Sequence, residues 1–229
     1  MAIKTYSYKK NKKLSTHFYS NEFASKSGSK LYSDKILIDT TLISSLEKFF
    51  KYGITAIVIT SGYRTSTHDK AVRGNGTGAH TKGFAADVVA YIKNEPVPSK
   101  YLACLAELIG FSGIGIIDST AIHVDKRNNS NYYNAHWFGN EQTGEDNISS
   151  FFDYYKLSKA KVYGYFEYYK EELYKIKATK KTAIRTSPKD NGKLKKYYEK
   201  GKKARVWAEK DGYLKVLSGW IKKKDTERI

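Results

Sequence analysis

The stretch Ile54-Thr-Ala-Ile-Val-Ile-Thr60, set between Gly53 and Gly62, constrains the chain more than any other. Six of its seven residues are β-branched, side chains that lose rotamer freedom in a helix and pack well on a pleated surface. It reads as a buried strand, and a buried strand needs apolar layers to cover it. The flanking segments supply them. Residues 34–53 read as a helix, with Asp39 as N-cap, Leu42, Ile43, Leu46, Phe49 and Phe50 at the 3.6 period, and Gly53 as its stop. A glycine-dotted loop covers 73–83 and a strand-like stretch covers 85–91. Pro98 and Ser99 open a second helix that ends at Gly110. Short strands over 113–117 and 121–126 are joined by a turn at Asp118, Ser119 and Thr120. Helices alternate with strands and short strands cluster late, so residues 1–149 read as an α+β domain, a small antiparallel sheet with helices.

The composition shifts near residue 150. Residues 150–172 are aromatic and charged without a single period, and read as a partly helical connector. From 173 to 229 short strand-like pieces alternate with turn signals, among them Pro188 to Gly192, Lys200-Gly201 and Asp211-Gly212, the pattern of a small all-β barrel. From Lys161 onward there are 21 basic and 9 acidic residues, so this part carries most of the chain's net charge of +18. Such an excess implies an anionic partner, whether nucleic acid, membrane surface or wall polymer, or serves solubility. Cys104, the single cysteine, rules out an internal disulfide and a thiolate metal cluster, and its apolar helical setting reads as a small buried hydrophobe. The basic N-terminal segment has no apolar run after it, which argues against a secretory signal, and no stretch of about 18 apolar residues predicts a membrane span. Synthesis in a cytoplasm follows as an expectation.

Five histidines are candidates for chemistry: His17, His68, His80, His123 and His136. His80 falls in a glycine-flexible turn, Asp87 in the strand after it, and His123 on a later strand. Two histidines and one carboxylate can hold a zinc ion and leave a fourth position for water, although the His-x6-Asp spacing alone fits isolated packing residues as readily.

The surrounding motifs decide between these. Leu14-Ser-Thr-His17-Phe18 with Glu22-Phe23, then Ser61-Gly62-Tyr63-Arg64-Thr65, His68 with Ala71-Val72, His80 with Gly83 and Ala85-Ala86-Asp87, Gly113 with Gly115, and His123-Val124-Asp125 stand in one order. Over residues 14–127 the chain resembles the D-alanyl-D-alanine metallopeptidases, zinc carboxypeptidases and endopeptidases with phage endolysin members. The resemblance implies one zinc ion held by His80, Asp87 and His123, with an affinity that falls in acid because the ligating forms are deprotonated. It implies that Arg64 grips a substrate carbonyl or carboxylate and stabilises the oxyanion. Relatives often carry an acid three positions before the last zinc histidine. Here that position is Thr120, which leaves Asp118, slightly preferred, and Asp125 as candidate general bases. His68 is expected to brace the loop after Arg64, His17 and Glu22 to pack, and His136-Trp137 to pack rather than line the cleft.

Residues 173–229 resemble bacterial Src-homology-3-type (SH3-like) wall-binding barrels, through Ala183-Ile-Arg185-Thr-Ser-Pro188, Arg205-Val-Trp207, Gly212-Tyr213 and Gly219-Trp220-Ile221. Trp207 and Tyr213 are the candidate wall-binding rings, and Trp220 is expected in the core. Together these imply a peptidoglycan endopeptidase of the endolysin type, whose partners are peptidoglycan and anionic wall polymer, with no nucleic acid expected, and which acts at the bacterial cell wall. A carboxypeptidase that trims terminal D-Ala is the alternative, and a non-catalytic basic binding protein the remote one.

Overall fold

The computed structural model describes residues 3–127, 136–170, 174–206 and 208–229, without the side chains of 168–170. The chain forms two compact units, Met1–Val162 and Tyr163–Ile229.

In the first unit, β1 (Ile3–Ser7) pairs antiparallel with β4 (Lys35–Asp39), and β2 (Lys26–Ser27) with β3 (Lys30–Leu31). Helix α1 (Thr40–Phe49) starts where expected, since the Asp39 carboxylate accepts from the Thr41 amide at 2.6 Å. The helix read from residue 34 is therefore a strand up to Asp39. Ile36 and Ile38 are buried while Lys35 is exposed, a period-2 pattern. Then follow β5 (Ala56–Ser61), α2 (Ser66–Ala71), α3 (Ala79–Lys82), β6 (Ala85–Ile92), β7 (Glu95–Pro96), α4 (Ser99–Ile109), β8 (Gly113–Ile116), β9 (Ala121–Asp125), β10 (Trp137–Asn140) and α5 (Phe151–Tyr154).

The main sheet runs β10-β8-β9-β6-β5, with β7 added to β6. It is antiparallel except for β10, which pairs parallel with β8 and was not foreseen. A parallel partner needs a long connection, and here β9 lies between the two strands in the chain. Strand β5 lies at the sheet edge. It buries Ile57 while Val58 is 48% exposed, so the expectation of a fully buried strand is corrected. The β-branched run does form a strand; where it sits in the sheet depends on distant partners.

The sheet has two unlike faces. Ala86, Val88, Ala90 and Ile92 of β6, Ile114 and Ile116 of β8, and Ile122 and Val124 of β9 are all buried on one face. Helix α4 packs on β8 and β9 and against α1, contributing Leu102, Cys104 and Leu105. The other face carries Asp87, His123 and Asp125, with Gly113 and Gly115 facing them across the β8–β9 register. Cys104 is fully buried, and burial, with the Glu107 charge, pushes its thiol up to about 12. A thiol so placed is expected to be inert. A colorimetric thiol reagent at neutral pH should titrate under one tenth of Cys104 in the native protein and all of it in denaturant; equal native and denatured reactivity would show a looser helix layer.

The second unit begins within α6 (Lys159–Lys170). It continues through β11 (Tyr174–Ala178), β12 (Thr182–Arg185), β13 (Leu194–Tyr198), β14 (Lys203–Val206), β15 (Ala208–Lys210), β16 (Tyr213–Val216), β17 (Gly219–Lys222) and β18 (Thr226–Arg228). These form a three-stranded sheet, β14-β11-β18, and a five-stranded sheet, β13-β12-β17-β16-β15. Ile176, Ile184, Val206, Leu214, Val216 and Ile221 form the core they share. Among the described residues there is no closed barrel, and the all-β expectation holds in that coarser form. Tyr213 is 6% exposed and its hydroxyl donates to Asp190, so it is not an open binding ring. Trp220 is half-buried rather than core, with the Lys215 ammonium 5.2 Å from its ring centre. Trp207 lies outside the described residues. No helix among the described residues is long and apolar enough to cross a membrane.

Candidate metal centre

Each of the three cluster residues is positioned by a different local device. His80 sits in the single turn α3, which Gly83 closes at φ 81°. A Cβ at Gly83 would lie 2.6 Å from the Leu37 carbonyl oxygen, so the turn needs glycine for both its backbone and its contact with β4. Asp87 and His123 are direct cross-strand partners on β6 and β9, so both side chains leave the same face.

The inner atoms form a tight triangle. His80 Nε2 lies 3.1 Å from His123 Nδ1, His123 Nδ1 2.9 Å from Asp87 Oδ1, and Asp87 Oδ1 3.2 Å from His80 Nε2. The outer ring nitrogens are engaged elsewhere. His80 Nδ1 donates to the Gly62 carbonyl at 2.7 Å and His123 Nε2 to Asp125 Oδ2 at 3.1 Å. With each ring neutral and its proton directed outward, three lone-pair atoms converge on one point, an arrangement that can hold a cation. Tetrahedral ligands of a zinc ion stand about 3.3 Å apart, so the donor set fits that ion in both type and spacing.

The charges around the triangle agree. Burial opposes ionisation of Asp87, but the His80 charge and hydrogen bonds from His123 and His80 hold its carboxyl well below the usual range. Burial also opposes a His123 imidazolium, yet Asp125 and Asp87 outweigh it and raise the ring to about 9. Asp125, fully buried, is held at about 2 against its burial by His123 and Arg127. Arg127 grips it through Nε at 3.0 Å and Nη2 at 2.6 Å to Oδ2. Asp125 therefore orients His123, as a carboxylate behind a metal-binding imidazole does.

Arg64 is tied to the cluster and to its surroundings. Its Nη2 donates to Asp87 Oδ2 at 2.7 Å, its Nε to Ser61 Oγ at 2.8 Å and its Nη1 to Asp69 Oδ1 at 3.4 Å. One of its five N–H groups thus reaches the cluster and two reach residues beside it, and among the described residues the other two make no bond. The cluster floors a cleft of about 580 Å³ whose walls include Arg64, Arg73, Arg127, Trp137 and Glu141. A more apolar hollow of about 670 Å³, lined by Leu14, Ile43 and Phe50 among others, holds none of the cluster residues.

Asp118 is not brought to the cleft. Its Oδ1 accepts from the Thr120 and Ala121 amides, each at 2.7 Å, which lowers its carboxyl, and it caps the β8–β9 turn in the open. The preference for Asp118 as general base is corrected on that ground: its oxygen completes a turn. His68 is buried, 3.0 Å from Ser25 Oγ and stacked on Tyr32, a brace as expected. His17 pairs with Glu47 at 2.7 Å and stacks on Phe50. Trp137 lines the cleft, with its ring edge-on to that of His123 at 6.0 Å and the Arg127 guanidinium 4.8 Å from it, whereas His136 is exposed beside Phe138.

Residues 16–125 match the family model described as Peptidase M15. These residues belong to the peptidase M15 family. M15 peptidases are zinc enzymes, and the M15 match contains all three cluster residues together with Arg64 and Asp125. No curated protein and no solved structure matches the chain. Three cleft residues lay beyond sequence reasoning. Arg127 had a signal, since a residue two after Asp125 on a strand shares its face. Arg73 and Glu141 had none, because the turn and the parallel pairing that bring them there are not local patterns.

Proposed function

We propose that the M15 domain hydrolyses peptide bonds next to D-amino acids in bacterial peptidoglycan, as an endopeptidase of the lysin type that cuts cross-links. The observation that carries this reading is the convergence of His80, Asp87 and His123 on one point of a cleft within the M15 match. One zinc ion held by these residues would supply a Lewis acid for the scissile carbonyl and would make water a nucleophile near neutral pH. The protein's own groups then do three things. Asp125, fixed by Arg127, keeps the His123 ring turned with Nδ1 inward. Arg64 fixes the outer oxygen of Asp87 and offers its remaining N–H groups to the carbonyl oxygen as it gains charge. Trp137 gives the cleft an apolar wall suited to the methyl group of D-alanine.

The tail, proposed as residues 173–229 after a connector at 150–172, would keep the enzyme on its polymer. Its sequence resembles SH3-type wall-binding modules, and its lysines suit an anionic wall polymer, as does Tyr197, 52% exposed with the Lys181 ammonium near its ring.

One observation favours terminal trimming instead. Arg73, exposed at the cleft wall with φ 68°, presents a guanidinium that fits a free carboxylate. Digestion of purified cross-linked peptidoglycan with the zinc-loaded protein, followed by mass analysis, separates the two. New amino termini at former cross-links are expected. Release of D-alanine alone would make the enzyme a carboxypeptidase, and no product from several wall types would overturn both.

A further inference from the structure

Peptide hydrolysis needs a group that takes a proton from the attacking water and returns it to the departing amine. Asp87 belongs to the cluster, Asp118 is spent on its turn, and Asp125 is fully buried under Arg127 and His123. Between Asp125 and Glu141 the sequence holds no other Asp or Glu. Glu141 is exposed and lines the cleft that His80, Asp87 and His123 floor.

Its placement follows from the sheet. In the parallel pairing Trp137 stands beside Gly113 and Gly139 beside Gly115, the β8 glycines that face Asp125 and His123. Period 2 along β10 then puts Trp137, Gly139 and, one step beyond the strand, Glu141 on the catalytic face. The Glu141 amide donates to the Ile116 carbonyl at 2.8 Å, which continues that pairing and anchors the residue. The lack of a side chain at Gly139 makes room for the Trp137 ring, which lies over it on this face, and both Trp137 and Glu141 line the cleft.

We propose that Glu141 is the proton-transferring catalytic residue of this cleft, an inference that rests on the peptidase reading. Its carboxylate removes one proton from water as the water oxygen bonds to the carbonyl carbon. The carbon–nitrogen bond then breaks with its electron pair going to nitrogen, and the carboxyl returns the proton to that nitrogen. Water is consumed, a carboxylic acid and an amine are formed, and Glu141 ends as it began.

The test compares zinc-loaded wild type, Glu141→Gln and Glu141→Asp on a soluble cross-linked muropeptide dimer, with zinc per chain and melting temperature measured for each. Glu141→Gln is expected to lower kcat by about 10²–10⁴-fold, with KM within threefold, one zinc per chain and an unchanged melt. Glu141→Asp, which keeps the carboxylate, is expected to recover part of the loss. A Glu141→Gln enzyme within threefold of wild type in kcat would overturn the proposal, as would a raised KM at constant kcat, which would make Glu141 a binding group. Loss of zinc in Glu141→Gln would overturn it in favour of a metal-site role. A zinc-loaded wild type that cleaves neither this dimer nor intact walls would instead bring down the peptidase reading, and the proposal with it.

Discussion

His80→Ala is expected to remove stoichiometric zinc binding and to lower peptidoglycan hydrolysis at least about 10³-fold. The substitution takes away one of three converging donors and leaves a carboxylate and one imidazole, too few to hold zinc in a closed geometry. The three donors converge only in the folded chain, so zinc is expected also to raise the melting temperature of the wild type; saturation at about 1,000 times Kd adds about 4 kcal/mol. His80→Ala should show no such rise. Protons compete for the same atoms. In the ion-free protein Asp125 and Asp87 hold the His123 ring protonated up to about 9, so metal uptake at neutral pH displaces that proton. Affinity should therefore fall by about tenfold for each pH unit below that value, per proton displaced. Equilibrium dialysis against a zinc buffer, with melts at pH 8, 7 and 6, measures all of this. A His80→Ala protein that still binds one zinc ion per chain with wild-type affinity would place the metal elsewhere.

How far the sequence carried depended on the range of the interactions. Short-range devices were legible: the Asp39 cap of α1, the Gly110 end of α4, and the turn between β8 and β9 came out where propensity and side-chain chemistry put them. The triangle was legible only because ordered motifs from 61 to 125 supplied context that a His-x6-Asp spacing lacks. Long-range pairing was not legible. The run Ile36-Leu37-Ile38 flows into the apolar pattern of α1, so although the Asp39 cap is legible, the residues before it read as helix rather than as a strand, whose partner β1 lies some thirty residues earlier. The β-branched run of β5 announces a strand but not an edge, because the edge is defined by the partner that is absent. Strand β10 and Glu141 depend on a parallel partner more than twenty residues earlier in the chain, which no local period encodes. Tyr213 was misplaced for a related reason: a tyrosine on a Lys-rich strand reads as a wet ring until its hydroxyl meets Asp190 from another loop.

Gly113→Ala is the sharper test of the architecture, because it leaves every polar group of the site in place. Gly113 faces Asp125 across β8 and β9, and a Cβ there would stand 2.2 Å from the Asp125 carboxylate oxygens. That carboxylate has nowhere to go: it is fully buried and held by the Arg127 side chain and by His123 Nε2. The added methyl must either spread the strands or push Asp125 off its partners. Overpacking and the disruption of a buried ion pair each cost a few kcal/mol, so a loss of about 2–4 kcal/mol is expected. For a unit of this size that is a fall of about 5–15 °C in melting temperature. Because Asp125 orients His123, zinc affinity should drop about 10–100-fold as well. Gly164→Ala in α6, where a Cβ meets nothing within 4 Å, serves as the control and should be neutral or stabilising by up to about 1 kcal/mol. Calorimetry of both variants without metal, then zinc titration, separates the packing effect from the ligand effect. If Gly113→Ala melts within 1 °C of wild type, Asp125 is not held as tightly as its contacts with Arg127 and His123 require; if it melts lower yet binds zinc normally, Asp125 supports the sheet and not the metal.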